Sequence, residues 1–381
     1  MKFSTASSIV LATASTCLAH PTRRAEEAAA PKITDVDILQ YALTLEHLED
    51  KFYREGLANF TLKHFEEAGF NETFYNNLKE VSYDETTHVS FLTTALKGVN
   101  ATPVAECTYA FGVTDVKTFI ATAAILEGVG VSAYLGAAAS IVEKAYLTAA
   151  ASILTVESRH SSYLRAAQKQ SPFPQPFDAP LDLNEVFTLA GQFIVSCPAT
   201  NGALPVKAFP LLTLDPAFMN VTTNSSVAFE TKAVIAEADK AGPWYAAWVS
   251  VTGPVYTPAT YVDCKFHTTV PVGYHGQNYV VISKKEGCMT DDCVTAGPAI
   301  VEVTGKNVEE YQEDIRKAIS TAFNPHPTAF TKVSVLLMHW ENDDLDVALL
   351  EQELGKVFEE IYGFDVEYYE IKATPTASID F

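Results

Sequence analysis

Two stretches of this chain are nearly the same: residues 85–92 read ETTHVSFL and residues 157–164 read ESRHSSYL. Each contains Glu-x-x-His, followed after two residues by an aromatic residue and then by Leu. Residues three apart lie on one face of an α-helix, so the glutamate and the histidine of each copy can reach a common point.

A second pair of matching stretches precedes the first pair. Residues 45–53 read LEHLEDKFY and residues 126–134 read LEGVGVSAY, each with a tyrosine seven places after its glutamate. Seven residues make about two helical turns, so each glutamate shares a helix face with its tyrosine. The repeat unit is therefore a helix with Glu-x6-Tyr followed by a helix with Glu-x-x-His, and it occurs twice.

The complete pattern predicts a metal centre. Two helices that each give a glutamate, and two that each give Glu-x-x-His, form the ligand set of a carboxylate-bridged di-metal site in a helix bundle. Carboxylate and imidazole ligands suit two iron ions, with manganese or zinc as alternatives. Two dications also offset the charge of four buried acids. The predicted ligands are Glu46, Glu85, His88, Glu127, Glu157 and His160.

Four further side chains lie near the motifs without belonging to the predicted ligand set. Tyr53 and Tyr134 are site candidates, either as core packing or as hydrogen-bond donors that support the metal ligands. Glu49 lies nearly on the stripe of Glu46, but it aligns with a glycine in the second copy, so we expect a neighbour of the site or a solvated residue. His47 points about 100° away from Glu46 and is expected at the surface.

Apolar periodicity predicts four long helices, which together form a four-helix bundle at 33–170. Thr34 and Asp35 can cap the first helix, and Thr114 is expected to cap the third. The apolar run 119–142 is long enough to span a membrane. It carries the single charge of Glu127, however, so we predict a helix buried in the bundle. The four predicted helices cover about 36–58, 73–97, 115–138 and 141–169.

The sequence changes in character after the helices, which gives an α+β multidomain fold. Residues 171–207 form a Pro-rich strap with one short helix near 183–195. Residues 208–303 are rich in Val, Thr, Tyr, Gly and Pro and predict a small β-sandwich. Residues 304–381 read as a helix followed by an incomplete βαβ unit.

The N-terminus and the glycosylation sequons predict a secreted glycoprotein. Residues 1–19 combine one lysine, a short apolar run and a small-x-small cleavage site, which is typical of a signal peptide. Five Asn-x-Ser/Thr sequons follow. The net charge of −21 disfavours nucleic acid and anionic membranes as partners. The sequons lie at Asn59, Asn71, Asn100, Asn220 and Asn224.

The cysteines agree with an oxidising compartment. Without Cys17, five remain, so one thiol is left over. We pair Cys107 with Cys197, and we expect Cys288 to bond either with Cys293 in a hairpin or with Cys264 in an alternative pairing.

The quoted helical motifs, with PFDAPLDLNEVFTLAGQFIVSCP after them, resemble the ferritin-like superfamily. The similarity is closest to its secreted fungal branch of stress-response and late sexual development proteins, and it covers about 31–303. It implies the six di-metal ligands named above. The segment VSVLLMHWENDDLDVALLEQEL resembles the first βαβ of a caspase-like domain. We expect that segment to be a catalytically incomplete remnant or the product of a fused gene model.

Two functions from different classes remain open at this stage. In the first, a secreted di-iron protein reacts with dioxygen or peroxide and oxidises ferrous iron or scavenges oxidant. In the second, the chain is a non-catalytic protein of the cell surface or wall, and its β-sandwich contacts a partner or a glycan. The oligomeric state does not follow from the sequence.

Overall fold

The computed structural model of the chain describes residues 33–218 and 220–304, the segments 334–340 and 365–371, and Lys356. The predicted signal peptide and the predicted helix after residue 304 lie outside these residues. The chain divides into two units, one up to Thr304 and one after it, and each is described by itself.

Five helices make up the first part of the larger unit. The four long helices begin and end within three residues of the predicted positions, and the short second helix was not predicted. The helices are α1 (Asp35–Asn59), α2 (Leu62–Glu67), α3 (Glu72–Gly98), α4 (Val116–Ala138) and α5 (Lys144–Ala167).

The helix caps follow from local hydrogen bonds. Thr34 caps α1 as predicted: its backbone N–H donates to Asp37 Oδ2 over 2.9 Å, and its hydroxyl accepts from the Asp37 N–H. The prediction that Thr114 caps α4 is wrong. Asp115 is the cap, because its Oδ1 accepts from the N–H of Thr118 over 2.9 Å.

Helix α4 is the most apolar of the four long helices. In length and composition it is the one helix among the described residues that could cross a membrane, yet 61% of its apolar window is buried inside the protein. Its small residues allow close packing. A Cβ at Gly136 would lie 1.6 Å from the carbonyl oxygen of Leu181, and one at Gly128 would lie 2.6 Å from Gln277 Nε2. These contacts attach the strap and the sheet to the helices.

Among its described residues, the remainder of this unit contains one short α-helix, α6 (Leu183–Ala190), three single-turn 3-10 helices and two sheets. The smaller sheet pairs β1 with β2, and the larger has seven antiparallel strands in the order β3-β4-β7-β6-β5-β8-β9. The strands are β1 (Thr108–Tyr109), β2 (Ile194–Ser196), β3 (Leu212–Leu214), β4 (Ser226–Thr231), β5 (Trp244–Trp248), β6 (Val255–Val262), β7 (Lys265–Thr269), β8 (Gly276–Ser283) and β9 (Val294–Val303).

The seven strands, in the region predicted as a small β-sandwich, form one connected sheet. The reason is β6, whose first half pairs with β5 and whose last three residues pair with β7. The two ends of the sheet also meet, because Val221 bridges to Val303 and the N–H of Gly297 donates to Pro210 O over 2.9 Å. The curved sheet encloses a single core around the buried Trp248.

Two disulfides are present among the described residues. Cys107 bonds with Cys197 as predicted, which ties the linker between α3 and α4 to the end of the helical region. Cys288 bonds with Cys293, which settles the alternative left open by the sequence, and Cys264 is free and exposed.

The second unit is described only at two strands. β10 (Ser334–Trp340) and β11 (Asp365–Ile371) pair in parallel, from Ser334 opposite Asp365 to Trp340 opposite Ile371. Parallel pairing is the arrangement that a βαβ unit requires. The predicted helix between these strands lies outside the described residues, apart from Lys356.

Candidate metal centre

The six predicted ligands meet in the interior of the helical part. Glu46 comes from α1, Glu127 from α4, and the two Glu-x-x-His pairs come from α3 and α5. All six side chains are buried, and the glutamates of α3, α4 and α5 are 0% exposed. Acidic side chains are almost never fully buried unless they are paired, so this arrangement needs compensating positive charge.

The donor atoms form two groups that share two members. Glu46, Glu85, His88 and Glu157 place one donor atom each within 4.8 Å of one another, and a second group satisfies the same limit. The second group consists of Glu85, Glu127, Glu157 and His160. Glu85 and Glu157 belong to both groups, as bridging carboxylates do.

Both imidazoles direct Nδ1 to the middle of the cluster. His88 Nδ1 lies 3.2 Å from Glu46 Oε2 and 3.3 Å from Glu157 Oε1. His160 Nδ1 lies 3.1 Å from Glu85 Oε1 and 3.3 Å from Glu127 Oε2. The two halves of the repeat therefore place equivalent atoms in equivalent positions.

The unpaired oxygens of the cluster provide a test of whether metal ions fit. Each of the four glutamates has at least one buried oxygen without a hydrogen-bond partner, and in Glu157 both oxygens lack one. Buried polar atoms left unpaired are strongly destabilising. Carboxylate oxygens with nearby imidazole nitrogens are suitable donors for divalent ions, so the residues present fit such a group.

The pKa values of the cluster without metal reflect the burial of several acids close to one another. Burial raises the pKa of the Glu85 carboxyl to about 7, although the adjacent imidazoles of His160 and His88 lower it. Burial lowers the pKa of His160, but the adjacent carboxylates of Glu127 and Glu85 raise it to about 11. Burial followed by repulsion from Glu85 and Glu127 raises the pKa of Glu157. The cluster thus retains protons that a metal ion would displace.

Tyr53 and Tyr134 each donate a hydrogen bond to a glutamate that belongs to only one of the two groups. The hydroxyl of Tyr53 donates to Glu127 Oε1, and the hydroxyl of Tyr134 donates to Glu46 Oε1. Each tyrosine therefore acts on the glutamate of the opposite copy, and in both cases the second carboxylate oxygen has no hydrogen-bond partner.

Glu49 is a neighbour of the cluster, one of the two alternatives left open by the sequence. It is buried, and burial followed by repulsion from Glu157 raises its pKa. Gly130 provides the space: a Cβ there would lie 3.1 Å from Glu49 Oε1 and 3.2 Å from Glu157 Oε2. The repeat aligns Glu49 with Gly130, so a glutamate on one helix faces a glycine on the other.

The surface position predicted for His47 is wrong. The side chain is half-buried, and its Nε2 lies 3.2 Å from Val104 O. The linker between α3 and α4 causes this burial, because it is held against α1 at this point. Gln40 of α1 accepts from the N–H of Val104 over 2.9 Å and donates to Thr102 O over 2.7 Å.

Asp84 is a residue that the sequence analysis missed. Its Oδ2 lies 3.2 Å from Nε2 of His160, on the side of the ring opposite the cluster. A carboxylate in this position fixes the tautomer and orientation of a metal-binding histidine. The sequence feature that could have identified Asp84 is its position directly before Glu85. The second copy has Val156 at the corresponding position. The two histidines therefore differ in their support.

Comparisons with known proteins agree with the helical part of this description. Residues 34–170 match the family model of the Ferritin-like domain. Protein rds1 of Schizosaccharomyces pombe is 30% identical over 193 residues, which are 50% of this chain and 47% of that protein. The chain thus spans about half the length of this curated relative. The match to the Ferritin-like domain thus covers the helical part, whose buried acid and histidine clusters are compatible with metal binding.

Proposed function

We propose that this ferritin-like domain holds two iron ions, with manganese as the alternative, and oxidises a substrate with dioxygen or peroxide outside the cell. The observation that carries the proposal is the pair of ligand groups that share Glu85 and Glu157. Two groups joined by two carboxylates are suited to a pair of ions, since each shared glutamate can contact both.

The side chains would have different roles in holding the two ions. Glu46 and His88 would hold one ion, Glu127 and His160 the other, and the shared glutamates would fix the spacing. Tyr53 and Tyr134 would orient the non-bridging carboxylates through the hydrogen bonds described above. When bound, the ions supply redox chemistry and charge that the side chains alone do not have.

The packing on one side of the centre would exclude water. Phe52 and Phe119 stack with ring centroids 4.9 Å apart, and the ring of Tyr53 lies edge-on to both. All three rings are at most 1% exposed. An apolar wall of this kind strengthens the electrostatic interactions within a site.

Secretion is part of the proposal. The two disulfides are compatible with an oxidising compartment, and the asparagines of the five sequons are exposed. The resemblance to secreted fungal proteins of stress response and sexual development supports the same assignment. Glycan attachment and a role in those processes stay predictions.

The decisive experiment is metal analysis of protein secreted by a eukaryotic host. We expect about two irons per chain, a number taken from the shared-ligand pattern. The double variant His88→Ala/His160→Ala should lose both iron and oxidation, whereas His64→Ala, an exposed histidine of α2, should keep both. Absence of metal uptake by the wild-type protein would reject the proposal and favour the non-catalytic role at the cell surface or wall.

A further inference from the structure

One side of the metal centre contains a pocket lined almost entirely by apolar atoms. It encloses about 50 Å³ and is lined by residues of all four long helices. A water molecule needs roughly 10–15 Å³ of such space and two to four polar partners. The volume would admit water, but the lining offers few partners. We refer to the space bounded by Ile38, Phe91, Ala133, Ala150 and Ile153 as the apolar pocket.

The pocket reaches the metal centre at its inner end. Glu49, Gly130 and Tyr134 line it, and each has a contact or close approach to a predicted ligand. A Cβ at Gly130 would lie 3.2 Å from Glu157 Oε2, and Tyr134 donates to Glu46. Phe91 and Ile153 stand one helical turn from His88 and Glu157. The pocket is thus on the side of Glu46 and His88.

The internal repeat explains the space on this side. Ala133 aligns with Phe52, because each stands directly before the tyrosine of its copy. Ala150 aligns with Leu78, because each stands seven residues before the Glu of Glu-x-x-His. Phe52 and Leu78 are at most 1% exposed and belong to one packed core cluster. The apolar pocket therefore lies where two large side chains of the other copy are replaced by alanines.

Glu49 indicates that the inner end of the pocket has a function and is not a packing defect. It is 5% exposed, and its Oε1 lies 3.1 Å from the position that a Cβ at Gly130 would take, next to Glu157 Oε2. The other acid that lines the pocket, Asp35, is already paired, since it accepts from the N–H groups of Val142 and Glu143 over 2.8 Å. Glu49 thus places a buried carboxylate between the apolar pocket and the cluster.

We propose that the apolar pocket is the binding site through which dioxygen reaches the metal centre. The inference rests on the proposed function and deepens it, because it selects dioxygen over peroxide as the oxidant. Dioxygen is small, uncharged and apolar and suits a lining that is almost entirely apolar, whereas hydrogen peroxide would give up most of its hydrogen bonds with water on entering it. Apolar cavities that stay dry bind apolar atoms such as xenon.

Xenon is the probe for a direct test, because its binding does not depend on a reaction. Crystals of the wild-type protein under xenon pressure should show a xenon atom between Ala133 and Ala150. In Ala133→Phe, which introduces the residue of the other copy, that xenon peak should be lost. Ala150→Leu repeats the test on α5 in case the first variant does not fold. Ala151→Leu, an exposed neighbour, should keep the peak.

The rate of dioxygen consumption then tests the route. After iron loading, Ala150→Leu should consume dioxygen more slowly than Ala151→Leu at equal iron content per chain. Absence of xenon from the wild-type pocket, or an unchanged rate with the pocket filled, would overturn the inference. A wild-type protein without iron would reject the proposed function instead, and the xenon result would still decide whether the pocket binds small apolar molecules.

Discussion

The unequal support of the two histidines leads to a prediction about metal affinity. In the substitution Asp84→Asn, the side chain stays in place but loses the charge that faces His160 Nε2 at 3.2 Å. The ion held by His160 should bind more weakly, because a neutral amide polarises the imidazole less than a carboxylate. The ion held by His88 should be unaffected, because the repeat places Val156 at the corresponding position.

The size of the expected loss in metal affinity depends on how exposed the Asp84 carboxylate is. Partners that orient metal-binding histidines are typically worth 10–100-fold in metal affinity, or roughly 1.4–2.7 kcal/mol. The Asp84 side chain is 44% exposed, so solvent weakens its effect on the ring. We therefore expect the lower end of the range, about tenfold for one of the two ions.

A competition titration with a chelator measures both binding steps. Glu80→Gln is the matched control, because it removes one negative charge from an exposed position of the same helix. If Asp84→Asn weakened both steps equally, or weakened neither, the assignment of Asp84 to His160 would be refuted. Equal effects of the two variants would show a general charge effect rather than support of one ligand.

Three further predictions concern the protonation and packing of the same region. The pKa of Glu85 rises from 4.5 to about 7 and that of His160 from 6.5 to about 11 without metal, so the folded state binds protons more tightly than the unfolded state. The stability that these groups contribute should therefore fall as pH rises from about 5 to 8, and the gain in Tm on metal addition should grow over that window; a constant gain would contradict this. Tyr53→Phe leaves Glu127 without its donor and should lower the free energy of unfolding by about 1–3 kcal/mol in denaturant titrations, whereas Tyr83→Phe on the exposed face of α3 should have no effect. Gly136→Ala should lower it by roughly 1–3 kcal/mol or more, since its Cβ would overlap Leu181 O; an unchanged value would mean that the strap moves freely.

The sequence alone determined the helices and the candidate ligands. Helical periodicity is a local property, so the repeated spacing of glutamate, tyrosine and histidine was enough to predict which helix face each residue occupies. The six residues that the structure brings together are those of the two aligned copies. Their use as ligands stays a prediction, which the metal analysis tests.

Only the tertiary structure decided which residues of other elements each helix face contacts. The burial of His47 depends on the linker that crosses α1, and the pairing of Asp84 with His160 depends on how α3 packs against α5. Likewise, the continuous sheet depends on β6 pairing on both sides. These contacts join residues far apart in sequence, and no local spacing encodes them.

The apolar pocket depends both on the repeat in the sequence and on the packing of the helices. The alignment of the repeats shows that Ala133 and Ala150 replace Phe52 and Leu78. Whether neighbouring side chains would fill the resulting space depends on how the four helices pack around it. Protein interiors close most such gaps, and here the structure leaves one open beside Glu49.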